Sequence, residues 1–119
     1  FYNGGMEYFH EGKLHREGDL PALVNPEEGL FWYTHGKLDR RNGGAAVIRT
    51  DCTMEWYQDN VLHRLDGPAR VTKDGDKFWY KNGVPFRPNA APAFVYADED
   101  GNGFTTVVAY LFAPEHVAA

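Results

Sequence analysis

The chain has 119 residues, enough for one modest domain. Its formal charge of −5 lacks the basic excess that non-specific nucleic-acid binding requires, so nucleic acid is not an expected partner. A single cysteine, Cys52, excludes an intramolecular disulfide framework and a zinc site built on several thiolates. Apolar runs are only a few residues long, so no helical membrane span is expected. The opening at Phe1, with no methionine or leader-like segment, reads as a processed or partial chain.

Aromatic residues make up 15% of the sequence, and they recur in register. Four segments align: Tyr8-Phe9-His10-Glu11-Gly12-Lys13-Leu14-His15-Arg16, the stretch Trp32 to Arg40, the stretch Trp56 to Arg64, and the stretch Trp79 to Arg87. Their first residues lie 24, 24 and 23 apart. A small-residue pair follows each arginine: Pro21-Ala22, Gly44-Ala45, Pro68-Ala69 and Pro92-Ala93. Two landmarks keeping one period define a repeat array, with units at about 6–29, 30–53, 54–76 and 77–103 and atypical caps at 1–5 and 104–119.

Taken in chain order, each unit predicts strand, tight turn, strand. Asn82-Gly83 is a strong hairpin signal, because a type I′ turn needs positive φ at both central residues. Glu11-Gly12, His35-Gly36 and Asp59-Asn60 hold the same slot. Between them, short apolar strands (Ala22 to Val24, Ala45 to Ile48, Ala69 to Val71) meet second turns at Asn25 to Gly29, Thr50 to Thr53 and Lys73 to Asp76. Phe94 to Tyr96 and Phe104 to Phe112 close the array around an acidic turn, Asp98 to Gly103. That turn reads as a hydrated hairpin loop, since it lacks the bidentate Glu of a calcium loop. The expected fold is all-β: stacked antiparallel β-hairpin repeats of period 23–24, forming an open twisted sheet or short solenoid within one domain.

The residues Trp56 to Ala69, with Trp-Tyr-x-x-Asn-x-Leu-His-Arg-x-Asp-Gly-Pro-Ala, resemble MORN repeats. They are closest to the MORN-like arrays of large phages and giant viruses. The likeness covers about residues 6 to 96. It departs from the pattern at Asp39, which replaces His, and after Arg87, where the acidic-Gly step is missing. It implies a sheet of hairpins used as a scaffold for proteins and sometimes for lipid surfaces. It implies a phage or viral source, and a cytoplasmic or virion location.

With two-residue turns, Tyr33 opposes Leu38, Trp32 opposes Asp39 and Phe31 opposes Arg40. Alternation then puts Phe31, Tyr33, Leu38 and Arg40 on one face and Trp32, Thr34, Lys37 and Asp39 on the other. The Tyr/Leu column is the expected core. The Trp column is either covered by the Pro-Ala strands or lines a groove that binds a partner. Arg16, Arg40, Arg64 and Arg87 form a second column, read as a structural ladder or a docking track. His15, Asp39 and His63 form a third, read as a hydrogen-bond ladder and not as a metal site. Cys52, in a turn, has no catalytic constellation, and the chain contains no serine.

The expected function is therefore non-catalytic protein interaction or scaffolding, with no cofactor and no metal. The candidate partner-binding residues are Trp32, Trp56, Trp79, Arg40, Arg64, His15 and His63. Self-association through sheet edges is a further expectation. The alternative is a ligand-binding module that stacks glycan rings or single-stranded bases on the Trp column.

Overall fold

A computed structural model describes residues 4–97 and, for the backbone, 104–107. The readings of Asp98 to Gly103 and of the segment beyond 107 lie outside the described residues. The chain divides into two compact units, Phe1–Val61 and Leu62–Ala119. Among the described residues there is no α-helix, and each unit is all-β and antiparallel.

In the first unit, β1 (Met6–Glu7) is followed by a hairpin of β2 (Phe9–His10) and β3 (Lys13–Leu14). The second repeat's strands are β4 (Leu23–Asn25), β5 (Gly29–Phe31), β6 (Tyr33–Thr34) and β7 (Lys37–Leu38). Then come β8 (Val47–Arg49), β9 (Met54–Glu55) and β10 (Tyr57–Gln58), with β11 (Val61–Leu62) at the boundary. An open sheet runs β1-β4-β5-β8-β9, and β2–β3 and β6–β7 form separate hairpins beside it. The second unit repeats the plan. β12 (Arg70–Val71), β13 (Lys77–Phe78), β16 (Phe94–Ala97) and β17 (Phe104–Val107) make the sheet, and β14 (Tyr80–Lys81) with β15 (Val84–Pro85) makes the hairpin. One short 3-10 turn spans Pro88–Ala90.

All four expected turns are left-handed at both central residues: Glu11 and Gly12, His35 and Gly36, Asp59 and Asn60, Asn82 and Gly83. This is the type I′ conformation, whose twist matches that of the flanking strands. The pairings Phe9↔Leu14, Tyr33↔Leu38 and Tyr80↔Pro85 follow the expected register. The second turns close as expected too. Asn25 Oδ1 accepts the amides of Glu27 and Glu28, and Asp51 Oδ1 accepts that of Thr53.

Three expectations are corrected. First, Phe31 does not oppose Arg40; it pairs with Leu23 and Val47 in the main sheet. The chain leaves that sheet at Trp32, so alternation does not carry across from β5 to β6. Second, the Tyr/Leu column is not the core. Its members are half-buried, and Phe9 is 58% exposed. Because the hairpins stand apart as two-stranded pieces, only the main sheet and its junctions exclude water. The buried apolar set among the described residues is Phe31, Trp32, Ala45, Val47 and Val95, with Ala22, Ala46, Ala69 and Ala93 each at 0% exposure. Third, these four alanines identify Ala45-Ala46, not Gly44-Ala45, as the second repeat's small-residue pair.

The alanine column sits at a fixed place in the backbone ladder. The amide of Tyr8 donates to the Ala22 carbonyl, that of Trp32 to Ala46, and that of Trp79 to Ala93, at 2.7–2.8 Å. In return Ala22, Ala46 and Ala69 donate to Phe31, Glu55 and Phe78.

Candidate functional site: the joints between repeats

The columns found in the sequence meet at the junctions between successive hairpins, and most of their polar atoms are used there. In the first unit, the second turn docks on the first hairpin through two backbone donors. Gly36 N–H donates to the Leu14 carbonyl at 2.8 Å, and His35 N–H donates to His15 Nδ1 at 3.0 Å. The third turn docks on the second hairpin in the same way. Asn60 N–H donates to the Leu38 carbonyl at 3.0 Å, and Asp59 N–H reaches Asp39 Oδ2 at 3.4 Å. In the second unit, Gly83 N–H donates to the Leu62 carbonyl at 2.8 Å and Asn82 N–H to His63 Nδ1 at 2.9 Å.

His15 and His63 are therefore acceptors for backbone amides, as is Asp39. The expected His–Asp ladder between neighbouring repeats is replaced by bonds from each side chain to the next turn. An imidazole offers one acceptor only when neutral, so the His35 amide fixes the His15 proton on Nε2, where it faces Glu17. The hydrogen bond from His15, aided by Arg41, holds the Glu17 carboxyl below its ordinary value. His15 is 5% exposed and its ring stacks on that of His35, with His10 at the edge.

A second device repeats eight residues apart. Arg16 lies 3.8 Å over the Tyr8 ring, Arg40 3.9 Å over Trp32, and Arg87 3.8 Å over Trp79. The same guanidinium groups donate to the carbonyls of Pro21, Ala45 and Pro92, and Arg64 donates to that of Pro68, at 3.1–3.3 Å. Arg16, Arg40 and Arg87 are each stacked on a ring, and all four arginines close the loop that leads to the buried alanine. Glycine lies close under two of them, where a larger residue would make the guanidinium shift. A Cβ at Gly44 would lie 3.0 Å from Arg40 Cζ, and one at Gly67 2.9 Å from Arg64 Cζ.

The first unit adds a carboxylate. Asp19 receives Arg40 Nε at 2.9 Å and a second guanidinium nitrogen at 3.2 Å, and its backbone carbonyl accepts the Trp32 indole N–H. The hydrogen bond from Arg40 holds the Asp19 carboxyl below its usual value. A cleft of about 240 Å³ opens beside this network, lined by Arg16, Glu17, Asp19, Tyr33, Asp39 and Arg41. Glu17 and Asp19 in its wall are already engaged, with His15, Arg41 and Arg40.

No family model, no curated protein and no solved structure matches this chain. The site is defined by its own geometry.

That geometry places each candidate residue. Trp32, 7% exposed, is packed under Arg40, and His15 is tied to the second turn. Trp79 is half-buried under Arg87, Trp56 and Arg64 are half-buried, and His63 holds the Asn82 amide. Arg64 also pairs with Asp66 at 3.1 Å. Sequence reasoning did not single out several large apolar side chains that stand in solvent, Met6, Leu20 and Val61 in the first unit and Leu65, 71% exposed, in the second, and it placed the exposed Phe9 in the core column. Leu20 and Leu65 follow the Arg column in the loops, outside any strand alternation, which is why pattern reading passed over them. Among the described residues no group of three His, Cys, Asp or Glu is placed to hold a metal ion. Nor is any helix among them long and apolar enough to cross a membrane.

Proposed function

We propose that this chain is a non-catalytic protein-interaction or scaffold module of the MORN-like kind. It is phage- or virus-encoded, acts in the host cytoplasm or the virion, and works by binding or occluding a partner protein. One observation carries the reading. Joint-building uses the histidine, aspartate and arginine columns, while large apolar side chains, above all Leu65 and Phe9, are left in water. Exposed apolar surface rimmed by polar residues is a mark of protein-interaction sites.

The Trp and Arg columns support this reading indirectly, by holding the hairpins in register so that exposed side chains keep fixed positions. The test is co-purification of the tagged full chain with chemical cross-linking. Cross-links should cluster around Leu65 and Phe9, and Leu65→Glu combined with Phe9→Glu should lose the partner while circular dichroism stays unchanged. Retention of the partner by that double variant would remove the reading's support.

A further inference from the structure

The main sheet of the first unit has two unlike faces. Direct register puts Met6, Val24, Leu30, Ile48 and Met54 in one row across five strands, because opposed residues of antiparallel strands point to the same side. The neighbouring row, on the opposite face, includes Phe31, Val47 and Glu55, all buried. The apolar row is not buried. Met6 is 43% exposed, and Val24, Leu30, Ile48 and Met54 are half-buried, although β5 and β8 lie inside the sheet. Both methionines of the chain stand in this row, one at each end. Two exposed carboxylates, Glu27 and Glu28, sit in the turn that joins the strands of Val24 and Leu30, and among the described residues neither is in an ion pair. Arg49, at the next turn, is held by Glu55 on the opposite face.

We infer that this face is a docking surface for a cationic amphipathic helix of a partner protein. This rests on the interaction-module reading and names a surface and a partner chemistry for it. The row crosses strands about 4.8 Å apart and so runs about 19 Å. The apolar stripe of a helix recurs about every 5.4 Å, close to that strand spacing, and about 13 helical residues span the row. Methionine is flexible and polarizable, so a row ended by Met6 and Met54 adapts to side chains of more than one shape. Lysine or arginine flanking the helix's apolar stripe would meet Glu27 and Glu28.

Other occupants lack part of this chemistry. A preceding repeat would pair along the β1 edge, as β4 pairs on its other side, and would lie beside the face and not over it. The stretches of this chain outside the described residues, 1–3, 98–103 and 108–119, hold no lysine or arginine to set against the two glutamates. A second copy would bring two acidic rims together on a chain whose formal charge is already −5.

The experiment uses the full chain and a synthetic peptide of about 14 residues, with leucine in a helical stripe and lysine beside it. Peroxide oxidation of Met6 and Met54, read by mass spectrometry, reports whether the row is covered. Both methionines should oxidise in the chain alone, and the peptide should slow both saturably. A peptide of the same composition with its stripe scrambled should protect neither. Glu27→Lys combined with Glu28→Lys should weaken the helical peptide about tenfold, as expected for two lost exposed ion pairs, while circular dichroism stays unchanged. No protection of Met54 at millimolar peptide, equal protection by the scrambled peptide, or undiminished binding by the charge-reversed chain overturns the inference. So does a Met54 that resists oxidation in the chain alone, or that becomes resistant as the chain is concentrated, because the chain itself or a second copy would then cover the face. The outcome is separable from the interaction reading. A chain that ignores the peptide but cross-links to a partner through Leu65 keeps the reading and loses this surface.

Discussion

Two neighbouring joints of the first unit do one job with different residues. Between the first and second repeats, a buried imidazole takes the turn amide at 3.0 Å, and its ring stacks on the next histidine. Between the second and third, Asp39 stands in that place and the amide is 3.4 Å away, at the weak end of hydrogen bonding. The second joint makes up the difference from the other side. Asn60 replaces the turn glycine, and its Oδ1 accepts the Leu38 amide at 2.7 Å. What must be kept is a count of satisfied donors, not a residue type. A repeat can lose its consensus histidine when its neighbour gains a compensating acceptor.

The comparison can be broken most severely at Trp32, which serves both joints by bonding Asp19 through its indole and carrying Arg40 on its ring. Trp32→Ala is expected to lower unfolding free energy by about 3–5 kcal/mol in chemical denaturation. Next is His15→Ala, which removes a buried ring and an acceptor, at about 1–3 kcal/mol. His15→Asp should recover part of that loss if an acceptor is the requirement; equal destabilisation would show that the His35 stack governs the joint. Asp39→Ala should cost less than His15→Ala, about 0.5–1 kcal/mol, since its bond is long and Asn60 stays in place.

The smallest effect is a pH dependence. Because the Asp19 carboxyl is held below its usual value of 3.8, its stabilisation is complete above that value. It is lost as pH falls through the lower, folded-state value. The acid limb of thermal stability should therefore flatten in Asp19→Asn, and an unchanged limb would contradict the Arg40 pairing.

Much of this was legible beforehand, for local reasons. The turns could be read because only a few residue types tolerate two left-handed positions in succession, and the hairpin register follows once a turn is placed. The Arg and His columns were visible as spacings. Their roles were not, because the atoms they satisfy are backbone groups of another repeat, and backbone groups leave no mark in a sequence. The core was misplaced for a related reason. Alternation assumes one continuous strand, whereas the chain turns out of the sheet at Trp32, and residues as small as Ala46 give little hydropathy signal for being fully buried.

The spacing of these landmarks shows where the chain absorbs change. From aromatic residue to arginine is always eight residues, and from buried alanine to the next aromatic always ten. Arginine to alanine is six residues in three repeats and five in the third, where Arg64 reaches the carbonyl of Pro68, one residue sooner than its counterparts. A guanidinium on a long flexible stem works here as an adjustable clasp, so this loop can be shortened by one residue without shifting the ladder on either side. Insertions and deletions in related chains should collect there, leaving the ten-residue stretch that precedes each ring uniform in length.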